Sequence, residues 1–217
     1  MYRKQMTLQR ILCILMVVVS AVVFVYALGF MTDANDMIAT AALGYEAPTG
    51  TSAEVKAEIA AKKAPMRQFM DDMNLFDSTF VKVGIGLILV SLTLLLTNTH
   101  TRRKYYISNY IATLLTVGAA CAVSVWAHGE IAGLRTRYFS GEIDFDFVKM
   151  ACDDLARGNG SVQSVNVYTE SAFWFDVHYY VFGILLLMAA FLILNAIWKS
   201  ILMKREKNAL AMGKAVS

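Results

Sequence analysis

The sequence predicts an all-α membrane protein with four transmembrane helices. Two observations lead to this fold class: the apolar residues are clustered, and the basic residues are confined to alternate segments. Of the 217 residues, 57% are hydrophobic and only 17% are charged. A soluble domain needs more charge than this to cover its surface. The composition and the clustering of apolar residues therefore both indicate an integral membrane protein.

Four apolar runs account for most of the hydrophobic residues, and each is long enough to cross a bilayer. About 20 residues, rising 1.5 Å each, cover the roughly 30 Å hydrocarbon core as a helix. A backbone exposed to lipid must satisfy its own hydrogen bonds, which a helix does. We therefore predict spanning helices at about residues 11–30, 80–97, 105–127 and 179–198.

The first run also has features of a signal peptide, because a basic N-terminus precedes it and the stretch YALGFMTD ends it. That stretch is an imperfect cleavage site, and the run is longer than the apolar core of an ordinary signal peptide. We therefore expect the first run to be an uncleaved membrane anchor.

The basic residues indicate the orientation in the membrane. The N-terminus, the short turn at residues 98–104 and the tail at residues 199–217 are rich in Lys and Arg. The two long segments, residues 31–79 and 128–177, hold eight acids and four bases each. Short basic loops stay in the cytoplasm. We therefore predict cytoplasmic termini and two extracytoplasmic loops of about 50 residues, within a single four-helix membrane domain.

The cytoplasmic turn carries three consecutive bases, Arg102, Arg103 and Lys104, and no acid. Such a cluster fixes the orientation of the flanking helices and can rest on anionic lipid headgroups. We expect these residues to determine topology and to contact the bilayer, in preference to forming a specific ligand site.

The first outer loop predicts a helix that runs towards the second span. Thr51 and Glu54 form a capping-box pattern, and Pro65 is expected to break or restart the helix. An apolar stripe at helical spacing follows Pro65. Its members are Met66, Phe69, Met70 and Met73. Packing against a neighbouring loop is the favoured interpretation of this stripe, and contact with a partner protein is the alternative.

The second outer loop contains the stretch FDFVKMACDDLARG, which predicts a short helix stopped near Gly158. Phe147, Val148 and Leu155 share one face of that helix and are candidates for partner contact. The stretch SVQSVNVY, at residues 161–168, suggests a short strand or extended segment. We expect the two loops to form an external helical cap in which at least one of the two apolar stripes is core.

Cysteine usage argues against one class of membrane enzyme. Cys13, Cys121 and Cys152 form no close pair, and the chain has no CxxC motif. A four-helix thiol oxidoreductase needs such pairs. Claudins and tetraspanins share the four-span plan, but the paired cysteines of their outer loops are missing here.

A cluster of imidazoles and carboxylates is predicted where the third span ends and the fourth begins. His128 and Glu130 follow the third span, and Asp176 and His178 precede the fourth. Antiparallel neighbouring helices would bring all four to the same depth. Two imidazoles and two carboxylates suit zinc or a similar metal. A hydrogen-bonded interface cluster is the favoured interpretation, and a metal site is the alternative.

The N-terminal run MYRKQMTLQRILCILMVVVSAVVFVYALGFMTDANDM, residues 1–37, resembles small four-span membrane proteins of Gram-positive bacteria associated with carbohydrate ABC transporters. The four-span plan continues this resemblance along the chain. No functional residue carries over from it. The resemblance implies a transporter-associated membrane subunit without catalysis of its own, in a bacterial plasma membrane.

We therefore expect a non-catalytic accessory or scaffold subunit that needs no cofactor and binds other membrane proteins. Both outer loops carry net negative charge, which argues against nucleic-acid binding on that side. The alternatives are a small autonomous transporter or channel and, with less support, a metal-binding membrane protein.

Overall fold

The computed structural model describes residues 2–34, 42–99, 106–159, 173–211 and Gly213. Within these ranges the chain is helical and contains no strand. The principal helices are α1 (Tyr2–Gly29), α2 (Ala53–Thr99), α3 (Tyr106–Phe139), α4 (Phe145–Asn159) and α5 (Phe173–Ala211). A π-helical turn, Phe30–Ala34, continues α1. The predicted strand at residues 161–168 lies outside the described residues.

Four of the described helices, α1, α2, α3 and α5, are long and apolar enough to cross a membrane. The longest, α2, has 47 residues and therefore extends over about 70 Å, more than twice the thickness of a hydrocarbon core. Its charged residues are concentrated in its first half, before the predicted second span. Only the second half of α2 has the composition of a spanning helix.

Pro65 lies inside α2, so the prediction that it breaks or restarts the helix was wrong. Proline removes one backbone donor and crowds the carbonyl four residues earlier, which costs about 3 kcal/mol in a helix interior. The apolar stripe that follows offsets this cost, because Met66, Phe69 and Met73 are fully buried. Tertiary packing of one face holds the helix together across the proline.

The start of α2 differs in detail from the predicted capping box. Ser52 occupies the N-cap position, and its hydroxyl accepts a hydrogen bond from the Val55 amide at 3.4 Å. Thr51 donates to the Pro48 carbonyl at 2.7 Å and closes the preceding turn. In α4, Asp144 caps the helix by accepting from the Phe147 amide at 2.9 Å, and the helix ends one residue beyond Gly158.

The chain divides into two compact units, each built from several segments. We call the first the span unit, which comprises Met1–Phe24, Val83–Trp126 and Tyr180–Ser217. We call the second the loop unit, which comprises Val25–Lys82 and Ala127–Tyr179. These divisions follow the predicted spans and outer loops closely, except that the end of the first span belongs to the loop unit.

The span unit buries small and aliphatic side chains and leaves large apolar side chains on its surface. Inside it, the hydroxyls of Ser20 and Ser91 share a hydrogen bond of 2.8 Å. On its surface, Leu114 and Val125 are 73% and 74% exposed. An apolar surface of this kind is costly in water and is what lipid tails contact.

The loop unit is built around aromatic rings. Phe30 is fully buried and meets Tyr26, Phe76 and Phe175 edge to face, with ring centroids 5.7–6.0 Å apart. Edge-to-face geometry is the arrangement that ring quadrupoles favour. Gly29 lies close against the Trp174 ring, where a Cβ atom would come within 2.4 Å of it.

Candidate functional site

The two predicted histidines meet in the loop unit. His128 Nδ1 lies 2.9 Å from His178 Nε2, with the two ring centroids 5.1 Å apart. His178 is fully buried, and its Nδ1 contacts the backbone carbonyl of Phe175. A carbonyl only accepts, so His178 Nδ1 carries the proton and its Nε2 accepts from His128.

The two predicted carboxylates lie differently. Asp176 accepts a hydrogen bond from Arg135 Nε at 3.0 Å. Glu130 is exposed on α3. Among the described residues, no group of three metal-binding side chains comes together. The geometry thus brings the imidazoles into contact and directs one carboxylate to an arginine, while the metal site stays a prediction.

The residues predicted to contact a partner lie mostly inside the loop unit. Those with buried side chains are Met66, Phe69, Met73, Phe147 and Val148. Met70 is half-buried, and the side chain of Leu155 lies outside the described residues. A partner cannot reach the buried side chains in this structure. Contact through these stripes stays a prediction that would require the loop unit to open.

Arg137 is the main ionic junction of the loop unit. Its guanidinium donates to both oxygens of Glu142 at 2.8 and 2.9 Å and to Asp72 at 2.7 Å. It also lies over the Phe69 ring, 5.3 Å from the centroid. The paired hydrogen bonds from Arg137 hold the pKa of Glu142 below its ordinary value. This junction fixes α3 to α2 in the loop unit.

Arg102, Arg103 and Lys104 lie outside the described residues. Their role in topology therefore stays a prediction.

A buried chain of amides in the span unit is the feature that the sequence analysis missed. It links Asn195, Gln5, Gln9, Asn109 and Lys199, which come from α1, α3 and α5. We call this set the amide chain. The Lys199 ammonium donates to Asn109 Oδ1 at 2.9 Å and lies over the Tyr110 ring at 5.4 Å. Lys199 is 8% exposed, so its charge is held inside the unit.

The amide chain has unused hydrogen-bonding capacity. Gln5 Oε1 and Asn109 Nδ2 are buried and have no hydrogen-bond partner in the part of the chain that the structure describes. A buried ammonium whose acceptor is a neutral amide is costly to desolvate and marks a site that needs explanation. The i,i+4 spacings of Gln5 with Gln9 and of Asn195 with Lys199 were the available sequence signal.

Fold and site together define a helical protein with four helices that are long and apolar enough to span a membrane. No protein-family model matches the chain, and no curated protein or solved structure matches it significantly.

Proposed function

We propose that this chain is a multi-pass plasma-membrane protein that serves as a non-catalytic accessory or scaffold subunit of a larger membrane complex. The resemblance at residues 1–37 suggests a bacterial carbohydrate ABC transporter as that complex. In this proposal the termini and the turn at residues 98–104 are cytoplasmic, and both long loops are extracytoplasmic. The distribution of basic residues supports this orientation.

The single observation that carries the proposal is the construction of the loop unit. Segments that a simple four-span protein would use as connections instead build a packed aromatic core. Loops of this length in compact proteins are usually functional. A rigid unit with a charged exterior offers a preformed surface to another protein, and preformed surfaces lose less entropy on binding.

The subunit proposal is tested by measuring the mass of the protein extracted from its native membrane in mild detergent. The chain itself has a mass of 24.1 kDa. We expect native mass spectrometry to find it in a larger assembly with other membrane proteins at fixed stoichiometry. Recovery of the chain alone, at monomer mass in several mild detergents, would overturn the proposal.

The proposed orientation is tested separately by cysteine labelling in intact cells, in a variant whose three native cysteines are replaced. A membrane-impermeant maleimide should label Glu58→Cys, which lies on the exposed surface of α2. It should label Thr101→Cys only after the membrane is permeabilised. Labelling of Thr101→Cys in intact cells would contradict the proposed topology and indicate the opposite orientation.

A small autonomous transporter is the second candidate, and the amide chain is the observation that favours it. Buried polar and charged side chains in spanning helices often mark pathways for substrates or ions. Purified protein reconstituted in vesicles should show ion or sugar flux if this function applies. The flux should fall in Lys199→Met, and equal flux in that variant would exclude the amide chain from the pathway.

A further inference from the structure

An open groove of about 720 Å³ runs along the first half of α2 in the loop unit. One wall is formed by Tyr45 and Glu46, and the other by the side chains of one helical face of α2. The α2 side includes small residues such as Ala60 and Ala64. A groove of this volume lies within the usual range of ligand sites.

The groove is basic although the loop that forms it is acidic. Residues 31–79 contain eight acids and four bases, and all four bases fall between Lys56 and Arg67. Three of them, Lys56, Lys63 and Arg67, line the groove. The fourth, Lys62, is paired with Glu58 and Asp144 instead. Three of the four bases of this loop are thus gathered at one surface, where they outnumber the two acids that line it.

Within the described part of the chain, two of the groove cations are entirely free for a ligand, and the third is partly engaged. Lys56 and Arg67 are exposed, and neither forms an ion pair with any described residue. Lys63 is half-buried and uses one of its three ammonium donors on the Tyr45 carbonyl, so it holds the two walls together and can still face a ligand carboxylate. The acids Glu46 and Asp71 also line the groove, and Asp71 limits the basic stretch one helical turn beyond Arg67.

The wall opposite α2 is held in place from both sides. The Tyr45 hydroxyl donates to Asp154 Oδ2 at 3.0 Å, and its ring meets Phe147 edge to face. This hydrogen bond to the carboxylate raises the pKa of Tyr45 above its ordinary value. Because Lys63 fixes the Tyr45 carbonyl as well, the groove is preformed and does not have to be ordered by a ligand.

The spacing of the cations indicates the shape of the ligand. At 1.5 Å per residue, Lys56 and Arg67 are about 16 Å apart along α2, and Lys63 and Arg67 about 6 Å. One small anion cannot reach both ends of such a row. In an extended peptide, side chains on one face repeat every 6.6 Å or so, which matches the pair Lys63 and Arg67.

We propose that this groove binds an extended acidic segment of a partner protein, with carboxylates facing Lys63 and Arg67 and a further one facing Lys56. This inference rests on the proposed accessory role and names the chemistry of the partner. The segment carries acids at alternate positions over about five to seven residues. It has no acidic residue beyond Arg67, because Asp71 would repel one there.

The test measures binding of defined peptides to the full chain in detergent by fluorescence anisotropy. The probe is a labelled peptide of about eight residues that alternates Glu and Thr, a composition that favours extended structure. One control alternates Gln and Thr. A second has the same acids gathered at one end. We expect the alternating acidic peptide to bind more tightly than both controls. It should bind less tightly at 0.5 M salt, because the Debye screening length falls to a few ångströms.

Charge-reversal variants locate the site. Lys56→Glu and Arg67→Glu should each weaken binding about threefold to tenfold. Lys149→Glu is the matched control, because Lys149 is an exposed base of the loop unit outside the groove. It makes the same change in net charge and should leave binding unchanged. An alternating Lys–Thr peptide should bind the double variant better than the wild type, which would show that the variant is folded.

The outcomes separate this inference from the proposed function. Equal binding of the Gln–Thr peptide, or equal weakening by Lys149→Glu, would overturn the groove as an acidic-peptide site. So would equal binding of the clustered-acid peptide, or binding of inorganic polyphosphate without binding of the peptide. If the peptide fails while the native complex is still recovered, only this inference fails. If both fail, the accessory role fails as well.

Discussion

The span unit and the loop unit are built from the same long helices, yet their interiors differ. The loop unit joins its helices through buried aromatic rings such as Phe30, Phe69 and Tyr138. The span unit joins its helices through a shared serine hydrogen bond, the amide chain and close backbone approach at Gly84. In the loop unit, several charged groups lie around the aromatic core and pair with one another, while the Asp77 carboxylate is buried and has no hydrogen-bond partner among the described residues.

This difference follows from what surrounds each unit in the proposed topology. Water drives aromatic side chains together, so a loop unit outside the membrane is stabilised by burying large rings. Lipid tails are as apolar as the helices they touch, so packing and hydrogen bonds must hold a span unit together. The comparison therefore makes opposite predictions for the two units about which substitutions matter most.

The largest effect is expected from Phe30→Ala in the loop unit. Phe30 is fully buried among three other rings, and truncating such a side chain costs about 3–5 kcal/mol. Thermal unfolding in detergent, followed by helicity, measures this. Phe173→Ala is the control, because Phe173 is 59% exposed and its loss should cost much less. Equal destabilisation by both would contradict an aromatic core.

The amide chain should respond to polar substitutions in a way that the aromatic core does not. Asn109→Leu removes the acceptor of Lys199 and leaves a buried charge unpaired, which should cost about 2–4 kcal/mol. Lys199→Met removes the charge itself and should cost much less. Adding Lys199→Met to Asn109→Leu should therefore recover part of the lost stability in the same unfolding measurement. Additive losses would show that the charge is not the cause.

Close helix approach in the span unit is tested at two neighbouring glycines. A Cβ atom on Gly84 would lie 3.2 Å from the Phe24 Cα atom, whereas one on Gly86 would meet nothing within 4 Å. Gly84→Ala should destabilise by about 1–2 kcal/mol, because backbone cannot yield easily. Gly86→Ala should be neutral or stabilise by up to about 1 kcal/mol, since Ala favours helix. Equal changes in stability at both positions would show that Gly84 is not a close packing contact.

The sequence predicted the four long apolar helices well because length and hydropathy depend only on local composition. The prediction that Pro65 breaks or restarts the helix was wrong, because the buried face that stabilises α2 across Pro65 depends on tertiary packing. The amide chain was overlooked for a similar reason. Gln5, Asn109 and Lys199 are unremarkable in isolation near the ends of predicted spans, and only the fold brings them together.

Ion pairing at the loop-unit surface should have the smallest effect, and Asp144 is the position to test. Its carboxylate caps α4 through the Phe147 amide and pairs with Lys62 at 3.2 Å. Loss of such a cap costs about 1 kcal/mol, so Asp144→Ala should destabilise by roughly that amount at pH 7. Asp144→Asn should keep most of the stability, because an amide oxygen also caps. Equal losses in both variants would show that the ion pair matters more than the cap.

The stability of the protein should also depend on pH, and Asp144→Asn tests this dependence. The hydrogen bond from the Phe147 amide holds the pKa of Asp144 below its ordinary value, and hydrogen bonds from Arg137 do so for Glu142. At these two carboxylates the unfolded chain therefore binds more protons than the folded chain near pH 4, and their contribution to stability is lost as the pH drops through that region and below. Asp144→Asn cannot titrate, so its unfolding temperature should fall less between pH 6 and pH 3 than that of the wild type. An equal fall in both proteins would assign the acid sensitivity to Glu142 and its arginine junction instead.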